Sequence, residues 1–114
     1  MSVSHLHLNV RDLNAALDWF NRILEASPDF VNDRMASVRL EGLALVLDKA
    51  APDSPVIVAL GADSCDAELE RLVARGAVVT EPAVDRPWGV RNAYLAGPGG
   101  ITLEIEETLE SVGG

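Results

Sequence analysis

Two stretches of strict alternation, one near each end of the chain, constrain the fold more than anything between them. His5-Leu6-His7-Leu8-Asn9-Val10 sends Leu6, Leu8 and Val10 to one side and His5, His7 and Asn9 to the other, the period-two mark of a half-buried strand. At Arg11-Asp12-Leu13 the period lengthens abruptly. Leu13, Ala16, Leu17, Phe20, Ile23 and Leu24 then recur as one helical stripe, with Asp12 placed to cap the first turn. Burying the larger members of that stripe contributes on the order of 10 kcal/mol before ordering entropy is subtracted. Trp19 lies off the stripe, where it either covers the edge or meets a partner subunit. At the other end, Gly97-Pro98-Gly99-Gly100 reads as a tight turn. It feeds Ile101-Thr102-Leu103-Glu104-Ile105-Glu106, in which Ile101, Leu103 and Ile105 face the core and Glu104 is central on the polar face.

Between these ends the same order of elements occurs twice. Pro28 closes the first helical region, and Phe30-Val31, Met35 to Leu40 and Leu43 to Asp48 follow as strand candidates. Leu43-Ala44-Leu45-Val46-Leu47 is apolar on both faces, so this strand is expected to be covered on both. Ala50-Ala51-Pro52-Asp53-Ser54-Pro55 is the linker-like segment, close to the midpoint. After it come a strand (Val56 to Leu60), a helix (about Ser64 to Arg75, with Leu69, Leu72 and Val73 as its stripe and Gly76 as its stop) and three strands, Val78 to Glu81, Val90 to Ala96 and Ile101 to Glu106.

A chain of 114 residues with 48% hydrophobic content supports one compact domain and argues against disorder. No apolar run is long enough for a membrane span. The N-terminus lacks the basic start and apolar run of an export signal, and Cys65, without a second cysteine to pair with, suits a reducing compartment; a cytoplasmic location is expected. Cys65 has no motif around it and reads as a small helix residue. The formal net charge of −9 opposes nucleic-acid binding and suits a cationic ligand or simple solubility.

His5-Leu6-His7-Leu8-Asn9-Val10-Arg11-Asp12-Leu13 with its following helix, and Trp88-Gly89-Val90-Arg91 followed by Gly97-Pro98-Gly99-Gly100 and Glu104, together resemble the glyoxalase/bleomycin-resistance/dioxygenase superfamily, also called vicinal oxygen chelate. The resemblance covers nearly the whole chain. It implies an α+β fold in which two βαβββ modules, about 1–50 and about 55–108, form a curved mixed sheet with a concave pocket within a single 1–114 domain. It also implies up to four metal ligands, one from each of the first, fourth, fifth and eighth strands. His5 matches the first of these and Glu104 the last. At the middle two stand Leu45 or Leu47 and Val56 or Ile57, none of which binds a metal. His7, about 6.5–7 Å along the strand from His5, offers a substitute nitrogen.

Residue parity and loop position add Arg39, Trp88, Asn92 and Tyr94 to His5, His7 and Glu104 as ligand-binding candidates. Trp88 is placed to stack on a flat ligand, and apolar residues at the lost ligand positions make a drier pocket suited to an organic molecule. The reading is a small-molecule-binding protein that works without metal as a homodimer, resembling the antibiotic-sequestering branch of the superfamily. The rival is a lyase, isomerase or dioxygenase using a divalent metal at His5 and Glu104. A third reading is a regulatory or structural dimer with a vestigial pocket. Five aromatic residues (Trp19, Phe20, Phe30, Trp88 and Tyr94) are few for a binder of flat drugs.

Overall fold

The computed structural model describes residues 4–109. The elements run β1 (His5–Val10), α1 (Leu13–Leu24), β2 (Pro28–Val31), β3 (Met35–Leu40), β4 (Leu43–Lys49), β5 (Val56–Gly61), α2 (Cys65–Ala74), β6 (Val78–Arg86), β7 (Val90–Ala96) and β8 (Ile101–Thr108). The fold is α+β, two βαβββ modules in succession. Their strands form two four-stranded mixed sheets of the same plan, β1-β4-β3-β2 and β5-β8-β7-β6. In each, the first strand runs parallel to the last and the remaining pairs are antiparallel. The chain divides into two compact units, Met1–Pro55 with Pro98–Gly100 and Val56–Gly97 with Ile101–Gly114.

In the first unit, Asp12 caps α1, its carboxylate accepting from the Ala15 amide. Leu13, Ala16, Phe20 and Ile23 are buried, while Leu17 and Leu24 are half-buried. The helix ends on Glu25 in the left-handed region (φ 56°), a position that more often takes glycine. Pro28 does not end the helix but opens β2, a strand position where a missing amide donor is tolerated. The central strand β4 is buried on both faces, as its apolar run implies, with Ala44, Leu45, Val46 and Leu47 all shielded from solvent. Leu6 departs from expectation: it is 41% exposed although Leu8 and Val10 on the same face are buried. The segment Pro98–Gly100 packs on the linker, and a Cβ on Gly100 would lie 2.5 Å from the Ser54 carbonyl oxygen, so only glycine fits that approach.

In the second unit, Ser64 caps α2 through the Ala67 amide, and the Glu107 carboxylate accepts from the Cys65 amide at 2.8 Å. Only Cys65 and Leu72 of this helix are buried; Val73, expected on its apolar stripe, is 48% exposed. The backbone turns at Gly76 (φ 103°). β6 extends well beyond Glu81, running through Pro82 to Arg86 with register shifts that absorb the proline. Ala93, Leu95, Ile101, Leu103 and Ile105 form the buried face of β7 and β8.

Candidate functional site

In each sheet one face packs into its unit's core and the opposite face carries the polar side chains; the strand candidates lie on that opposite face, and Trp88 lies in the turn between β6 and β7. On the first sheet, strand register sets His5 in a row with Ala44 and Arg39, His7 with Val46 and Ser37, and Asn9 with Asp48 and Met35. A chain of hydrogen bonds crosses this face. Ser4 Oγ lies 2.7 Å from His5 Nδ1, His5 Nε2 lies 3.1 Å from His7 Nε2, and His7 Nδ1 lies 2.8 Å from Asp48 Oδ2. The two imidazoles meet edge to face, with ring centroids 4.9 Å apart. Arg39 is exposed and turned to its own neighbours, donating to the Gly42 carbonyl and lying 3.7 Å from Asp29.

On the second sheet, Tyr94 pairs with Glu104 and Asn92 with Glu106 across β7 and β8. Asn92 is 1% exposed, a buried amide with both ends used: its Nδ2 donates to Glu104 Oε2 (3.1 Å) and its Oδ1 accepts from Arg86 Nε (2.8 Å). Arg86 in turn lies 3.6 Å from Glu81. Glu104 also accepts from Glu106, two residues on along the same face. That hydrogen bond, with burial and the neighbouring negative charge adding to it, raises the Glu106 carboxyl above its ordinary pKa. The result is a row of charged groups and one amide, Glu81, Arg86, Asn92, Glu104 and Glu106.

Beside this row lies an open cavity of about 490 Å³ lined by Ile57, Thr80, Glu81, Arg86, Trp88, Tyr94 and Thr102. Trp88 is 66% exposed at its rim. Ile57, 60% exposed, supplies an apolar wall. On the opposite face of the sheet, Arg91 binds Asp66 and Asp85, and both hydrogen bonds raise its already high pKa. Cys65 is buried there; burial pushes its thiol pKa up, which makes it a poor nucleophile.

The structure therefore gathers Trp88 and Tyr94 around one cavity and joins Asn92 to Glu104. It groups His5 with His7. Asp48, Arg86 and Glu106 join these groups without having been expected from the sequence. Asp48 had a usable signal, since it shares parity with Ala44 and Val46. Arg86 had none, because Pro82 and Pro87 make its surroundings read as a loop. Register also corrects the fourth-strand assignment: Leu45 and Leu47 pair with Leu6 and Leu8 on the core side, and the polar face of β4 carries Ala44, Val46 and Asp48.

Residues 2–105 match the model of the Glyoxalase/Bleomycin resistance protein/Dioxygenase superfamily. The chain belongs to that superfamily. A solved glyoxalase/bleomycin resistance protein/dioxygenase from Nocardioides is 27% identical, with 100% of this chain and 86% of that one covered and a TM-score of 0.84. A superfamily member from Sphaerobacter thermophilus DSM 20745 is 22% identical over 94% of this chain and 98% of its own, with a TM-score of 0.76. TioX from Micromonospora sp. ML1 is 21% identical over 96% and 100%, with a TM-score of 0.74. The latter two likenesses concern the fold. None of the curated proteins compared with the chain matches it.

The superfamily's metal-dependent members imply a four-ligand site, and the residues present do not fit it. The polar faces carry Val46 on β4 and Ile57 on β5 where donors are needed. Among the described residues, no group of three or more His, Cys, Asp or Glu side chains is arranged to hold a metal ion. No helix is long and apolar enough to cross a membrane among them either.

Proposed function

We propose that this superfamily member binds a small organic molecule on the polar face of its second module, without requiring a metal, and that it sequesters that molecule, an antibiotic being the natural candidate. The observation that carries the reading is the cavity bordered by Trp88, Tyr94 and Ile57 on its apolar sides and by Glu81 and Arg86 on its polar ones. Aromatic rings offer area for stacking at small entropic cost, while a few placed polar groups fix orientation. A net charge of −9 favours approach of a cation. Arg86, which lines the cavity, is held in place by its hydrogen bond to the buried Asn92 Oδ1 beside it. Metal-assisted lyase, isomerase or dioxygenase chemistry at His5 and Glu104 is the weaker reading, since it lacks the two middle donors.

We further propose that the protein works as a cytoplasmic homodimer. Phe30 and Val31 on the edge strand β2, and Val78, Val79 and Val84 on β6, are exposed apolar residues that a second copy would cover. Sedimentation showing only monomer at micromolar concentration would refute the dimer.

The binding test uses metal-free bleomycin as the probe, read by melting temperature with chelator and with excess divalent cation. The expected result is a rise of a few degrees that is the same in both and lost in Trp88→Ala. No rise, or a rise that appears only with added cation, overturns the proposal.

A further inference from the structure

With 18 acidic residues against nine basic ones, a cation without a partner is unexpected in this chain. Arg22, Arg39, Arg71, Arg86 and Arg91 each lie against a carboxylate, and Arg75 is engaged as well. The side chains of the other three, Arg11, Arg34 and Lys49, make no hydrogen bond or ion pair among the described residues.

These three come together at one end of the first sheet. Val10 pairs with Lys49 across β1 and β4, which puts Arg11 one residue past that pair, and the Lys49 amide donates to the Arg34 carbonyl at 2.8 Å. Their backbones are tied down. The Arg11 amide donates to Asp53 Oδ1, Asn32 Oδ1 accepts from the Arg34 and Met35 amides, and Lys49 ends β4. Arg11 and Lys49 line a cavity of about 750 Å³ within the first unit, between the start of α1 and the turn joining β2 to β3. Two carboxylates line it too, Asp12 and Asp33. Asp12 is occupied as the cap of α1, accepting from the Ala15 amide, whereas Asp33 has no partner among the described residues. With Arg34 counted, three cations stand against two carboxylates, a positive balance in a chain of net charge −9. The Leu13 and Asn14 amides, which precede the first intrahelical bond, add donors to the same lining.

We propose that this cavity binds the phosphate group of a small soluble molecule through Arg11 and Lys49, with Arg34 beside them. A guanidinium offers a fork of donors to two phosphate oxygens, and an ammonium adds a point charge. A dianion balances two or three cations better than a carboxylate does. The charge of the whole chain repels an anionic membrane or a nucleic acid, so the phosphate belongs to a small molecule. Val31, exposed at the cavity, gives its organic part an apolar contact. No residue is shared with the cavity of the second module, and the two proposals stand or fall separately.

The test is titration of the full chain into inorganic pyrophosphate at low ionic strength with chelator present, followed by phosphorus NMR. Saturation at one equivalent per chain is expected. Arg11→Gln and Lys49→Gln should each weaken binding about tenfold or more, and Arg34→Gln should weaken it less. Asp33→Asn should tighten it by removing a repelling charge. Arg71→Gln, which deletes the same charge from the second module, and Trp88→Ala should leave it unchanged. All the substituted side chains except Arg71 are exposed, Arg71 is about half exposed, and circular dichroism checks that each variant is folded. Lys49 is the one lysine in the chain, so a second reading is direct: pyrophosphate should slow acetylation of Lys49 severalfold, as mapped by peptide mass. Absence of saturation overturns the proposal. So does an Arg71→Gln loss as large as that of Lys49→Gln, which would reduce the binding to overall charge. Acetate binding as tightly as pyrophosphate would overturn the phosphate assignment.

Discussion

The two modules share an order of elements and a sheet plan, yet they place their polar groups in opposite ways. In the first, the polar chain of Ser4, His5, His7 and Asp48 lies on an exposed surface. In the second, the chain from Arg86 to Glu104 passes through Asn92, which solvent does not reach. The helices differ too. α1 buries Leu13, Ala16, Phe20 and Ile23, whereas α2 buries only Cys65 and Leu72. The edge strands follow the contrast: β2 has four residues, β6 has nine and bends through two register shifts. One topology thus supports two kinds of surface. The βαβββ plan depends on the apolar alternation and leaves the opposite face free to vary.

The contrast between the helices should produce the largest effect. Phe20 is fully buried, and Phe20→Ala should cost about 3–5 kcal/mol through lost burial and the cavity left behind. Val73→Ala in α2 should change stability by less than about 0.5 kcal/mol, since that side chain is largely in solvent. Urea unfolding midpoints measure both. Equal losses would show that α2 is packed far better than its exposure indicates.

Next comes the contrast between polar chains. Asn92→Ala leaves the Arg86 guanidinium and the Glu104 carboxylate each short of a partner and should cost about 2–4 kcal/mol. Asp48→Asn, which weakens the exposed chain of the first module, should cost no more than about 1 kcal/mol. If the two variants lose the same stability in the same urea series, the buried-versus-exposed distinction fails.

The smallest effect is one of pH. Glu106 has its pKa raised in the fold, first by its hydrogen bond to Glu104 and then by burial, so the folded chain holds that proton more tightly than the unfolded chain. The associated stability is present in full below the ordinary glutamate value of 4.5 and is lost as pH rises through the raised value. Glu106→Gln keeps a donor toward Glu104 and removes the titration. The stability of wild type relative to this variant should therefore fall as pH rises above 4.5. A difference that is flat with pH, or that grows, would remove the shared proton from the second module's row.

Much of the fold was legible along the chain because its signals are local. Asp12 and Ser64 cap helices, and a cap needs only a short side chain and the next turn's amides. β1, β3, β4, β7 and β8 follow from apolar alternation or from a doubly apolar run. The failures share a cause. Glu25 ends α1 in a conformation its residue type does not announce. β6 continues past Pro82 because a bulged edge strand tolerates a residue with no amide donor. Val73 and Leu6 lie on faces that parity assigns to the core, but parity does not say where cover ends.

The strand-helix-strand-strand-strand order, its repetition after the linker, the superfamily, and the face on which His5, His7, Asn92, Tyr94 and Glu104 lie were all written in the linear chain. Periodicity and capping act over a few residues, so a string of letters contains them. Partnerships came from the folded state. There His7 meets Asp48, 41 residues away, and Asn92 bridges Arg86 and Glu104. There too Leu45 and Leu47 join the core while Val46 lies beside His7. These facts depend on register between strands distant in sequence. A slip of one residue would turn every one of those side chains to the other face.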